Sequence, residues 1–207
     1  MICRTCRGPA PDGFARCYQC DLAISQAGGL LADAVVPVGY AVRGKSLATD
    51  LRRYKSSHAG AAESAARLRD MLAGFLRDDA DSLWRAAGMT AGPSAVAVVP
   101  SGQGRPGAHP LLGIVRVCVD LPVLRLSVAP AVIHVRGVTV GWLRADDPVP
   151  GPDVLVVDDT WVSGGSAQSA AAALKLAGAK RVAIVVLGRH VNPADPRSAP
   201  FLAALAD

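Results

Sequence analysis

The sequence predicts an α/β protein in which a parallel sheet is flanked by helices and a small cysteine-rich module sits at the amino-terminal end. Three observations lead there. Short unbroken apolar runs, such as Val154 to Val157 and Val182 to Leu187, have the length and β-branched content of strands buried on both faces. Segments with helical spacing separate those runs, which implies crossover connections between parallel neighbours. Two CxxC pairs, Cys3/Cys6 and Cys17/Cys20, fall within the first twenty residues. The expected organisation is a zinc knuckle over 1–24 and an α/β domain over 30–207.

In chain order, the cysteine pairs come first. Each CxxC aims two sulfurs at one point, and four thiolates complete a closed tetrahedral zinc site with no position left for catalysis. Gly8, Pro9, Pro11, Asp12 and Gly13 supply the turn between the pairs. Two disulfides are the alternative, disfavoured by a reducing compartment. Ala34 to Val42 then reads as a strand, and Ser46 caps a short helix carrying Leu47, Leu51 and Tyr54 on one side and Arg52, Arg53 and Lys55 at its end. Leu68, Met71, Leu72, Phe75 and Leu76 recur at helical spacing in 61–77, and Asp78, Asp79 and Asp81 follow in a polar stretch.

Ser94 to Pro100 is another buried strand, and it ends in a glycine-rich loop. His109 to Val119 reads as a helix, within which Cys118 is an inert buried thiol. Val138 to Leu143 reads as a strand, and Asp146 with Asp147 as a solvated turn. Val154 to Val157 is a strand, Asp158 to Gly165 a polar turn, Ser166 to Ala177 an alanine-rich helix closed by Gly178, and Val182 to Leu187 a last strand.

Composition narrows the function classes. With 51% hydrophobic and 19% charged residues the chain buries a core and is not a disordered scaffold. Nine aromatic residues (three each of Trp, Tyr and Phe) supply few stacking platforms for single-stranded nucleic acid, so any such binding is mostly electrostatic. The net charge of +5 is concentrated early: residues 1–60 hold eight Arg and Lys against four Asp. That bias suits an anionic partner, although a solvated basic face reads the same way. The first twenty residues have no signal-peptide core, and the stretch from Leu22 to Val42 carries Gln26, Asp33 and Pro37, so the expectation is a cytoplasmic protein without a membrane span.

The chemistry is concentrated in one segment: the strand Val154 to Val157, the carboxylates Asp158 and Asp159, then Thr160, Trp161, Val162, Ser163, Gly164, Gly165 and Ser166 entering a helix. Glycine backbone, the hydroxyls of Ser163 and Ser166 and a helix N-terminus make a phosphate cradle. The two carboxylates are acceptors for sugar hydroxyls or a hydrated Mg²⁺. A ligand with both a phosphate and a polyol fits, while a strand-end acid pair beside an ordinary helix cap is the bland alternative. The loop Pro100 to Gly107 satisfies GxGxxG through Gly102, Gly104 and Gly107, but Pro106 interrupts it and no acidic residue follows at the distance ribose binding requires.

The acidic segment resembles the phosphoribosyl pyrophosphate (PRPP) motif of type I phosphoribosyltransferases, with Val162 and Ser163 where that family has two threonines. With the cysteine pairs, the chain resembles the ComF family of competence-associated, phosphoribosyltransferase-like proteins over nearly its whole length. Tyr54-Lys55 is similar to that family's Lys-Tyr region with the order inverted, and the family's Arg-Gly-Phe-Asn-Gln stretch has no clear match. The resemblance implies a type I phosphoribosyltransferase fold, PRPP and Mg²⁺ as ligands, and a nitrogen acceptor. Asp158 and Asp159 would be the catalytic pair; Thr160, Val162, Ser163, Gly164, Gly165 and Ser166 would hold the 5-phosphate, and Ser101, Gly102 and Arg105 the pyrophosphate. The alternative it implies is a PRPP-responsive or DNA-binding module acting in DNA uptake or recombination, with single-stranded DNA as partner. A homodimer stays open. The histidines, His58, His109, His134 and His190, are too scattered in sequence to nominate a metal site.

Overall fold

A computed structural model describes residues 1–57, 59–101, 109–130, 132 and 137–205. Its centre is a five-stranded sheet, every neighbouring pair parallel, built from β1 (Ala34–Val42), β2 (Ala95–Val98), β3 (Val123–Leu124), β6 (Asp153–Trp161) and β7 (Arg181–Val191) in the order β1-β7-β6-β2-β3. Helices α1 (Tyr18–Ala27), α2 (Ser46–Arg53), α3 (Ala61–Asp78), α4 (Ala80–Ala86), α5 (Pro110–Cys118), α6 (Gly165–Leu176) and α7 (Ser198–Ala203) complete it, with a separate antiparallel pair of β4 (Leu126–Val128) and β5 (Leu143–Ala145).

The sheet separates two apolar layers. On one side Leu51, Tyr54, Leu68, Leu72, Leu83, Leu111 and Val115 of α2 to α5 pack on Val96, Leu155, Val157, Val185 and Leu187. On the other, the alanines and Leu174 of α6 pack on Val154, Val156, Val182 and Ile184, together with Trp142, Trp161, Cys3, Cys6 and Cys20. This is why β6 reads as a continuous apolar run: both its faces are covered.

Four expectations need correction. The polar turn placed over Asp158–Gly165 is shorter, because β6 continues to Trp161 and the acidic pair lies on the strand itself. The strand placed over Val138–Leu143 is instead β5 at Leu143–Ala145, whose partner β4 supplies the register that the sequence did not show. The polar stretch after Asp78 contains α4, which buries Ala80 and Leu83. Ser46 is the first residue of α2 and makes no side-chain cap, the N-cap being Lys45.

Alternation slips at one level of the sheet. The β6–β7 pairing runs from Asp153↔Arg181 to Asp158↔Val186 and resumes at Thr160↔Gly188, while β1 pairs Gly39 with Gly188. Asp159 reaches Tyr54 at the end of α2, and Thr160 lines a cleft with Leu51 and Ala48 of the same helix. Two successive side chains of β6 thus serve the α2 side. A Cβ at Gly188 would lie 2.3 Å from Leu51 Cδ1, and one at Gly39 would lie 2.9 Å from Leu47 Cδ2. The glycine pair therefore seats α2, which is how glycine inside a strand commonly marks a close approach.

Candidate active site and cysteine centre

Asp158 and Asp159 lie at the carboxyl end of the central strand. β6 connects through α6 to β7 on one side, and β2 connects through α5 to β3 on the other, so the crevice between the ends of β6 and β2 is a topological switch point, the usual ligand position in such sheets. Val98 pairs with Val157 and the Val99 N–H donates to the Val157 carbonyl at 3.2 Å, which brings Pro100 and Ser101 out at the same sheet end as the acidic pair. Ser101 is half-buried there; Gly102 and Arg105 lie outside the described residues.

The two carboxyls have different surroundings. Asp158 Oδ1 accepts the Asp159 N–H at 2.8 Å. Desolvation first, and the charge of Asp159 second, push its carboxyl up to about 8. Asp159, 5% exposed, accepts the Tyr54 hydroxyl hydrogen bond and pairs with Lys55 on the same oxygen, Oδ2. The sequence signalled Tyr54 and Lys55 by their place after an amphipathic helix and by their likeness to the ComF family's Lys-Tyr region, and the structure brings both to Asp159. Beside them a cleft of about 360 Å³ is lined by Thr160, Ser56, Arg52, Leu51 and His190. Desolvation, Arg189 and Arg43 hold His190 below the ordinary imidazole range, so it is neutral near pH 7.

The turn into α6 contains Val162, exposed, and Ser163, whose Oγ accepts the Gly165 N–H at 3.3 Å. Its glycines are required by packing as much as by any ligand. Gly164 sits at φ +82° with its missing Cβ 2.1 Å from the Trp161 indole, and the Gly165 Cβ would meet the Gly137 carbonyl oxygen at 2.2 Å. Ser166 is half-buried in the first turn of α6. The structure thus brings Thr160 and Val162 through Ser166 to the same sheet end as the acidic pair.

The cysteine module has a second centre. The Cys3, Cys6, Cys17 and Cys20 Sγ atoms lie within 4.8 Å of one another, and Cys6 Sγ is 3.8 Å from Cys17 Sγ. Tetrahedral Zn²⁺ with bonds near 2.3 Å separates its sulfurs by about 3.8 Å. All four are free thiols, at distances that no disulfide spans. Contact with Cys17 foremost lowers Cys3 below the thiol range and Cys6 to about 6, and contact with Cys17 foremost drives Cys20 above that range. The group cannot ionise fully without a cation at its centre, so the donor set fits zinc. Burial likewise raises the Cys118 thiol, whose Sγ donates to the Arg69 carbonyl at 3.6 Å, consistent with an inert side chain.

Fold and site together define a class: a parallel α/β protein with an acidic strand end at the switch point and a four-cysteine centre beside it. No family model matches the chain, and no curated protein matches it. Among solved structures it is similar to the crystal structure of a purine phosphoribosyltransferase from Pyrococcus horikoshii Ot3, at 18% identity over 63% of this chain and 88% of that one, with a TM-score of 0.34. Among the described residues, no helix is long and apolar enough to cross a membrane.

Proposed function

We propose that the protein is a ComF-type phosphoribosyltransferase that binds PRPP with Mg²⁺ and transfers the 5-phosphoribosyl group to a nitrogen acceptor. The C–O bond to pyrophosphate breaks, the nitrogen forms the new bond to the ribosyl carbon and releases its proton to water, and pyrophosphate leaves with the electron pair. The observation that carries the reading is the adjacent carboxylate pair at the carboxyl end of the central strand, beside the end of β2 and directly ahead of the turn into α6. Asp159 accepts the ribose hydroxyls and stabilises positive charge developing on the sugar, and Asp158 joins it once a nearby cation displaces its proton. The turn Val162–Ser166 holds the 5-phosphate through backbone N–H groups and serine hydroxyls. Mg²⁺ suits hard carboxylate oxygens such as those of Asp158, and when bound it neutralises charge on the departing pyrophosphate.

Lys55 adds a feature of this chain. Its ammonium pairs with Asp159, which places a cation beside the acidic pair where it can serve the phosphate oxygens of PRPP. The test is calorimetric titration with PRPP and Mg²⁺, comparing the wild type with the Asp158→Asn/Asp159→Asn double variant. Binding by the wild type alone supports the site; no binding by folded, zinc-loaded wild type overturns it.

A second reading, a nucleic-acid-binding module, has its own observation. Arg4, Arg7 and Arg16 of the cysteine module line a cleft of about 380 Å³ that reaches Ser163 and Gln168. Backbone phosphates are natural occupants for such a cluster, and affinity for single-stranded DNA would then fall steeply with salt. Lys55, committed to Asp159, is a poorer candidate for that contact than the exposed Arg52 and Arg53.

A further inference from the structure

We propose that Arg189 is the counter-charge of the four-cysteine metal centre and ties that centre to the turn after β6. The inference rests on reading the cysteines as a zinc site. Arg189 lies near the carboxyl end of β7 and is 9% exposed. Its Nη1 donates to the Trp161 carbonyl at 3.1 Å and to the His190 carbonyl at 2.6 Å, and its Nε has no partner. Among the described residues, no carboxylate stands within ion-pair distance of it. A buried cation without an anion is strongly unfavourable.

The surface covering the guanidinium is the first cysteine knuckle. A Cβ at Gly8 would fall 2.6 Å from Arg189 Nε and 2.7 Å from Nη2, so the guanidinium rests directly against that glycine. Gly8 closes the knuckle, its carbonyl accepting the Cys3 N–H at 2.8 Å. Four neutral thiols or two disulfides would offer the guanidinium no negative charge. Four thiolates around Zn²⁺ carry a net charge of two minus, and Arg189 offsets half of it. The geometry therefore seats Arg189 as the outer-shell partner of the cluster, beside the two-minus charge that four thiolates and Zn²⁺ would carry.

The same side chain reaches the substrate side. The Trp161 carbonyl belongs to the peptide entering Val162, and Gly164 packs on the Trp161 indole. Metal charge holds Arg189, Arg189 holds Trp161, and Trp161 seats the turn. Arg189 is thus a positioning residue with two separable jobs: its charge serves the metal, and its fork of donors serves the carbonyls.

The test uses full-length, zinc-loaded protein with two readouts: zinc affinity by chelator competition, and hydrogen exchange of the amides at 162–165. Arg189→Met is expected to lose at least about tenfold in zinc affinity and to exchange faster in the turn. Arg189→Lys keeps the charge and is expected to retain zinc affinity near the wild type while exchanging faster in the turn. Gly8→Ala keeps the charge but takes away its seat, and is expected to match Arg189→Met in both readouts. Unchanged zinc affinity in a cooperatively melting Arg189→Met overturns the proposal, as does a loss in Arg189→Lys equal to that in Arg189→Met. Should Arg189→Met fail to fold, Gly8→Ala against Arg189→Lys decides by the same two readouts. Absence of PRPP binding by the wild type would defeat the functional reading and leave these measurements standing.

Discussion

Two carboxyls one residue apart carry different burdens. Burial and the Asp159 charge push the Asp158 carboxyl up to about 8 in the folded chain, from an ordinary value of 3.8. Between those values the folded state holds a proton that the unfolded state has lost, so stability is fullest below the lower value and falls as pH rises towards the higher. The expected outcome for metal-chelated protein is a melting temperature that drops across this window, with the drop reduced in Asp158→Asn. Equal slopes in both proteins would refute the assignment. Asp159 depends on its partners instead: Lys55→Met leaves a buried carboxylate with Tyr54 alone and is expected to cost about 1–3 kcal/mol, Lys55 being partly exposed. Adding Asp159→Asn should recover most of that loss in a double-mutant cycle by chemical denaturation. The place of the acidic pair at the end of a buried strand is legible in the sequence, since both carboxylates directly follow an unbroken apolar run. Tyr54-Lys55 is legible as a dipeptide after a helix, but its contact with Asp159 is not, since nothing local in the chain says that residues 105 positions apart meet.

The elements were read best where one periodicity ruled. β1 was placed at Ala34–Val42 and is found there, since a long β-branched run between turn residues has no helical competitor. β4 and β5 were missed because each owes its conformation to the other, and the run 138–143 is apolar for packing, with Trp142 and Leu143 buried in the α6-side layer. The acidic turn was placed too early for a related reason: carboxylates read as loop residues, yet Asp158 continues the strand because Val186 pairs with it. The glycine row under α2 is the element-scale feature with the sharpest consequence. In Gly188→Ala a methyl group would meet Leu51 at 2.3 Å and Ala41 at 2.9 Å, so α2 must lift or the side chains must leave their rotamers. Overpacking of this kind is expected to cost about 1–3 kcal/mol in chemical denaturation. Leu51→Ala in the same chain should recover part of it, and strict additivity of the two changes would show that the contact is not the cause.

For the whole molecule, the question is whether the cysteine module is an appendage or part of the core. The sequence divides the chain after residue 24, yet Cys3, Cys6 and Cys20 pack in the same apolar layer as Trp161, Val156 and Ile184 of the central sheet. Tyr40 on β1 donates to the Arg7 carbonyl at 3.0 Å, Arg189 on β7 lies against Gly8, and the Val138 N–H donates to Gln26 Oε1 of α1 at 2.9 Å. The first two ties run from the first cysteine knuckle to β1 and β7 of the central sheet, and the third runs from α1 to the segment ahead of β5. Zinc binding to an ordered four-thiolate centre is linked to folding, so removing the metal withdraws stabilisation from whatever unfolds together with it. If module and sheet share one core, the zinc-loaded protein should melt in a single calorimetric transition. Chelation should shift that whole transition down by several degrees, the scale on which about 1 kcal/mol moves a domain of this size being roughly 2–4 °C. Far-UV dichroism of the sheet and helices and the cobalt–thiolate absorption of a Co²⁺-substituted sample should then change together on heating. A cobalt signal lost well before the secondary structure, with the main transition unmoved by chelation, would mean an autonomous knuckle, and the proposed path from metal centre to the turn after β6 through Arg189 would then lack the shared core it needs.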